Sequence, residues 1–198
     1  MNVAATCTGT RALGPGLRSV VWVQGCPFDC AGCIAPEWIP QRPARTVDVD
    51  RLATELLTDP LVTGLTLSGG EPMAQAPALG ELVREIRRRR DVDVVCFTGF
   101  RLAELRRRPD TAALLGLIDV LIDGRYVAAR NDFRGLRGSS NQQVHHLTGR
   151  LRDVGYDFAG RTRNAEIHLD GNEALLVGVP PAGVLEAFDR LTTRKEAR

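Results

Sequence analysis

Three short segments constrain the fold most. Gly64–Ser68, Asp93–Thr98 and Leu117–Asp123 are almost wholly apolar, and the first two run into helical patterns. A strand with one wet face alternates, whereas a continuously apolar strand is buried on both sides, as a parallel sheet covered by helices requires. The intervening pattern agrees: a helix is expected from Pro77 to Arg89, with Leu79, Leu82, Val83 and Ile86 on one side, and a helical stretch from Arg101 to Arg108. Upstream, Leu17–Gln24 is rich in β-branched and aromatic residues and reads as a strand. Thr46 or Asp48 can then cap a helix running through Leu52, Leu56 and Leu57 to Asp59, which Pro60 ends. Near the C-terminus, Ala165–Leu169 and Ala174–Val179 flank Asp170-Gly171-Asn172 as a hairpin, and a short helix from Ala182 to Leu191 follows.

With 198 residues, 43% of them hydrophobic and 25% charged, one soluble domain can bury a full core without crosslinks. Lys and Arg number 26 against 24 acidic residues, so no large one-signed field points to nucleic acid. No apolar run approaches the ~18 residues of a membrane span, and Met1–Thr10 lacks the regions of a signal peptide, so a cytoplasmic protein without a membrane partner is expected. In a reducing compartment five cysteines, three of them crowded, read as metal or redox chemistry before disulfides.

The crowded three are Cys26, Cys30 and Cys33, written C-P-F-D-C-A-G-C within a long irregular stretch from Gln24 to Thr46. Loops this long are usually functional or disordered. Three soft thiolates on one loop suit an iron-sulfur cluster or zinc. Structural zinc is closed by four protein ligands, and no second C-x-x-C exists, although Cys7, Cys96, His145, His146 or His168 could each supply a fourth. A cluster held by three thiolates leaves one iron open. The second strand runs into Ser68-Gly69-Gly70-Glu71-Pro72, where glycines admit close backbone approach and Glu71 offers an acceptor for an ammonium group. Both loops follow strands, and in parallel sheets ligands bind at the carboxyl ends.

The C-x3-C-x2-C spacing after a first strand, together with G-G-E-P after the second, resembles the radical S-adenosylmethionine (SAM) enzymes. Within them the sequence is most similar to the activating enzymes of anaerobic ribonucleotide reductases. The pieces that carry this likeness are Gly14-Pro15-Gly16 with Arg18, Gly25 with the triplet, Thr98-Gly99-Phe100, Asp119–Gly124, and Gly138-Ser139-Ser140-Asn141-Gln142 followed by His145-His146. They span roughly two thirds of the chain.

The resemblance implies an α/β fold built as a partial (βα) barrel of mostly parallel strands, with a core domain over residues 1–147. Residues 148–198 would be a C-terminal extension of β-hairpin and helix packed on the same domain. Cys26, Cys30 and Cys33 would ligate one 4Fe-4S cluster, and SAM would chelate the open iron. Gly32, Ile34, Ser68, Gly69, Gly70, Glu71, Thr98, Asp123 and Arg125 would contact SAM, with no further catalytic side chain, since cluster and SAM carry the chemistry. Reductive cleavage of SAM would yield a 5'-deoxyadenosyl radical that takes hydrogen from a glycine of a partner glycyl-radical enzyme, such as an anaerobic ribonucleotide reductase. A flavodoxin-like or ferredoxin-like protein would supply the electron.

Plainer readings stand beside these. Gly14-Pro15-Gly16 can be a turn, Asp119 a polar-side strand residue, Cys7 a tail thiol and Cys96 a core thiol. Adjacent His145 and His146 face opposite ways on a strand, so at least one is structural. Arg87–Arg90 and Arg106–Arg108 suit solvated helix ends, with a docking patch for an acidic donor as the alternative. Residues 148–198 exceed the short activating enzymes, which leaves two other functions open: a radical SAM enzyme acting on a peptide or small metabolite, and a non-catalytic metal-binding or electron-transfer module.

Overall fold

The computed structural model describes residues 1–193. Seven strands form one sheet: β1 (Asn2–Thr10), β2 (Arg18–Val23), β3 (Arg45–Thr46), β4 (Gly64–Gly69), β5 (Asp93–Thr98), β6 (Val120–Asp123) and β7 (Gln143–His146). Their order is β3-β1-β2-β4-β5-β6-β7, with the central four parallel and β1, β3 and β7 antiparallel to their neighbours. A separate pair, β8 (Ala165–Asp170) and β9 (Glu173–Gly178), is the expected hairpin. The fold is thus mixed α/β with a large, mostly parallel central sheet.

One sheet face carries α1 (Val49–Leu56) and α2 (Ala76–Arg89). Asp48 caps α1 by accepting from the Arg51 N–H at 2.9 Å, and Leu52, Ala53 and Leu56 form its buried stripe. Leu79, Leu82, Val83 and Ile86 do the same for α2, against Val21, Leu65, Leu67, Val94, Cys96 and Leu121 of the sheet. The alternate strand residues Val20, Trp22, Val95, Val120 and Ile122 face the other way. That second face is covered by Leu136, Leu151, Phe158 and Val177, three of which lie beyond residue 147.

Arg18 fixes the amino-terminal side of the sheet. Its side chain is fully buried, donates from Nε to Thr66 Oγ1 (2.8 Å) and from Nη2 to the Leu65 carbonyl (2.7 Å), and pairs through Nη1 with Asp93 (2.6 Å). Nη1 also reaches the Pro15 carbonyl, and a Cβ on Gly14 would stand 2.9 Å from Arg18 Cδ. Gly14-Pro15-Gly16 is therefore a turn moulded around a buried guanidinium. Asp119, at 1% exposure, accepts from the Val94 N–H, Arg87 Nη2 and Thr148 Oγ1, so its role is structural.

Several elements differ from expectation. Asn2–Thr10 is a nine-residue strand, and Cys7 is a buried sheet thiol, 3.5 Å from His168 Nδ1, rather than a tail thiol. Its small side chains hide the signal, since Ala, Thr and Gly carry little periodic hydrophobicity. Arg87 and Arg90 are not merely solvated: Arg87 pairs with Asp119, and Arg90 donates to the Asp59 and Leu57 carbonyls. Only Leu102–Leu105 (α3) of the stretch from Arg101 to Arg108 is helical, and Ala112–Leu115 (α4) is an unexpected short helix. The final helix, α5, runs Val184–Thr193.

Candidate metal and cofactor site

β2 ends at Val23 and hands the chain to Gly25, whose φ of 98° turns it out of the sheet. The loop then folds back on itself: the Gly25 N–H donates to the Trp38 carbonyl (2.9 Å) and that of Cys26 to Ile39 (3.0 Å). Within this closed loop the Cys33 N–H donates to the Cys30 carbonyl at 3.0 Å, and Gly32, at φ 75°, allows the tight approach. All three cysteines are partly exposed and free.

The loop after β4 is stacked directly on the cysteine loop. The Gly70 N–H donates to the Val23 carbonyl (2.7 Å) and the Glu71 N–H to Gly25 (2.9 Å). A Cβ on Gly70 would collide with the Gly25 carbonyl oxygen and stand 2.9 Å from that of Trp38. Only glycine permits this contact of two backbones.

Burial pushes the Cys26 thiol up to about 11, the Phe28 N–H on its sulfur opposes this, and Glu71 and the neighbouring thiols add to it. Cys33 is likewise raised by burial, against an N–H from Ala35. Cys26 and Cys33 thus stay protonated until a metal takes the proton's place. Among the described residues no three His, Cys, Asp or Glu side chains converge within reach of a single ion, the triplet included. The candidate fourth zinc ligands are engaged elsewhere: Cys7 with His168, Cys96 in the helix-side core, His145 beside Asp123 at 3.1 Å, and His146 against Phe158. Three soft donors on one loop, with the candidate fourth ligands held elsewhere, fit an iron-sulfur cluster better than closed zinc.

Beside the loop opens a cavity of about 490 Å³. Gly32, Cys33, Ile34, Ser68 and Gly69 line it, together with Trp22, Trp38 and Phe97, while Val179, Pro180, Pro181 and Leu185, from near the C-terminal end of the described residues, form one wall. Gly70, Glu71, Thr98, Asp123 and Arg125 do not line it. Glu71 is 1% exposed and turned inward, accepting from the Met73 N–H (2.8 Å), Thr98 Oγ1 (2.8 Å) and the Gly99 N–H (2.7 Å). Burial outweighs these donors and pushes the carboxyl up to about 7. Its carboxyl group therefore braces the loop, where the sequence suggested an acceptor for a ligand's ammonium. Asp123, also buried, accepts from the Leu102 N–H at 2.6 Å, and exposed Arg125 lies 4.4 Å over the Phe28 ring.

The Gly138–Gln142 block clamps the loop after β6. Gln142 Oε1 accepts from the Gly138 and Ser139 N–H groups, its Nε2 donates to the Gly124 carbonyl (2.7 Å), and Asn141 Nδ2 donates to that of Arg125 (2.9 Å). Cavity-lining Tyr126, Asn131 and Arg163 were missed by sequence reasoning, and Gln142 was named only as part of a block that carried the resemblance. The two tryptophans alone carried a usable signal, being rare large side chains beside the triplet and in the strand before it.

Residues 12–145 match the family model described as a 4Fe-4S single cluster domain. An anaerobic ribonucleoside-triphosphate reductase-activating protein of Vibrio cholerae is 38% identical over 144 residues, covering 68% of this chain and 91% of the relative. The protein of that name from Escherichia coli K12 is 32% identical over 148 residues with the same coverage. A pyruvate formate-lyase-activating enzyme of Staphylococcus aureus is 40% identical over 80 residues, which is 37% of this chain and 32% of that enzyme. The glycine-stacked thiol loop and this sequence likeness lead to one conclusion: the chain belongs to the 4Fe-4S single cluster domain family, among the radical SAM activating enzymes.

Proposed function

We propose that the protein is a radical SAM activase that generates a glycyl radical on a partner enzyme of the anaerobic ribonucleotide reductase kind. The observation that carries this reading is the stacking of the Gly69-Gly70-Glu71 loop on the cysteine loop beside the cavity. A 4Fe-4S cluster with SAM on its open iron would supply one-electron cleavage of SAM, giving methionine and a 5'-deoxyadenosyl radical able to take hydrogen from a glycine Cα. Cys26, Cys30 and Cys33 would hold that cluster. Gly32, Ile34, Ser68 and Gly69 would lie along SAM, and Gly70 would keep the two loops in register. Glu71, Thr98, Asp123 and Arg125 would act from behind: Glu71 and Thr98 brace the backbone beneath, while Asp123 and Arg125 anchor the strand end that Gln142 and Asn141 clamp. Trp22, Trp38, Phe97 and the wall from the extension would exclude water from the reacting atoms.

The finer architecture belongs to the same proposal. The sheet is read as a partial (βα) barrel, residues 1–147 as its core and 148–198 as an extension packed on it. The enzyme would work in the cytoplasm with a flavodoxin-like or ferredoxin-like donor. The wall built from residues beyond the family segment favours one second reading, a peptide or small metabolite as substrate.

The test is anaerobic reconstitution with iron and sulfide, followed by SAM, a strong reductant and assay for 5'-deoxyadenosine, with spin-resonance spectra taken with and without SAM. Wild type should form product and show a SAM-dependent spectrum. Cys26→Ala, Cys30→Ala and Cys33→Ala should each abolish cleavage while keeping the fold, and Cys96→Ala should retain it. An assembled cluster that neither senses nor cleaves SAM leaves an electron carrier, and zinc uptake in place of iron leaves a structural metal site.

A further inference from the structure

Arg163 lies outside the family segment, is 6% exposed and lines the cavity. A guanidinium this buried is ordinarily matched by a carboxylate, because an unpaired charge in a dry site is costly. Here Nη2 donates to the Arg137 and Gly138 carbonyls (2.7 and 3.1 Å), the Phe133 ring lies 5.5 Å away, and Nε has no partner. No carboxylate among the described residues forms an ion pair with it: Asp132 is held by Arg137 at 2.6 Å, and Glu186, which also lines the cavity, is not joined to Arg163. The rest of the lining is largely apolar, so the cavity has a greasy body and one under-used cation.

We infer that Arg163 receives a carboxylate on the molecule or chain segment that enters this cavity as substrate. The guanidinium fork suits a carboxylate, and two carbonyl contacts on Nη2 hold its plane while Nη1 makes no hydrogen bond among the described residues and is left for the ligand. The inference deepens the proposed function by naming what the substrate carries. It rests on that reading for treating the cavity as the substrate's. A SAM carboxylate is the other source of the same chemistry, and the experiment separates the two.

Trp22 and Trp38 are the chain's two tryptophans and both line the cavity, so intrinsic fluorescence reports occupancy directly. The reconstituted full-length protein is titrated with hippurate, which joins an apolar body to a carboxylate, and with hippuramide, its neutral counterpart. Wild type should prefer hippurate by about tenfold or more, the range for hydrogen bonds to a charged group. Arg163→Gln should lose the preference while still binding hippuramide, which shows the cavity intact, and Arg163→Lys should keep part of it. The inference is overturned by equal binding of the two probes to wild type, or by a preference that survives in Arg163→Gln. It is also overturned if saturating SAM displaces hippurate while leaving hippuramide bound, since the carboxylate held by Arg163 would then be that of SAM. None of these readings needs SAM cleavage, so failure here and failure of the proposed function are separate results.

Discussion

Substituting Gly70 with alanine tests the contact that joins the two loops. The added Cβ would overlap the Gly25 carbonyl oxygen, lie 2.7 Å from the Gly25 carbonyl carbon and 2.9 Å from the Trp38 oxygen. All three are backbone atoms, so no rotamer change relieves the clash and the cysteine loop itself must move. Moving it strains the Glu71 N–H to Gly25 and Gly25 N–H to Trp38 hydrogen bonds, each worth about 1 kcal/mol net. Overpacking adds roughly 1–3 kcal/mol, so Gly70→Ala should cost about 3–5 kcal/mol in urea denaturation. Cys26 follows the displaced Gly25, so iron bound per chain after reconstitution should fall as well. Gly149→Ala is the control, because a Cβ there meets nothing within 4 Å. Normal iron content and unchanged stability in Gly70→Ala would refute the claim that close approach of these backbones builds the site.

Asp93→Asn keeps shape but removes the counter-charge of fully buried Arg18, and should cost about 3–5 kcal/mol in the same denaturation assay. A loss under 1 kcal/mol would mean that the carbonyls of Pro15 and Leu65 and the Thr66 hydroxyl satisfy the guanidinium alone. Glu71 is raised from an ordinary value near 4.5 to about 7, so the folded state binds the extra proton. Its contribution is then fully present below pH 4.5 and is lost as pH rises through 7, a swing of roughly 3 kcal/mol. Apoprotein melts should show wild type losing stability relative to Glu71→Gln across that window, and a difference that stays flat with pH would contradict the burial argument.

The sheet was legible because β4, β5 and β6 are apolar on both faces and because Asp48, Pro60 and Gly171 punctuate the chain where side-chain chemistry demands it. β5 was located to the residue. β1 was not, since Asn-Val-Ala-Ala-Thr-Cys-Thr-Gly-Thr carries too little contrast for a period of two to register. The thiol loop and its glycines were legible from spacing. The inward turn of Glu71 was not: a motif names a residue type, whereas three donors from Met73, Thr98 and Gly99 decide where its carboxylate points. Arg163 was invisible for the same reason, since one arginine among many says nothing of burial. Gly138–Gln142 carried the resemblance, and its mechanical task as a clamp emerged only with the carbonyls of Gly124 and Arg125 in place.

The covering of the second sheet face sets the limits of what can be cut from this chain. The family segment ends at residue 145, yet Leu151, Phe158 and Val177 cover Val20, Trp22, Val120 and Ile122. A polypeptide stopped at the family boundary would turn those side chains toward water, the condition under which proteins clump. The stretch that sequence likeness marks out and the stretch that closes the hydrophobic interior do not share a boundary here.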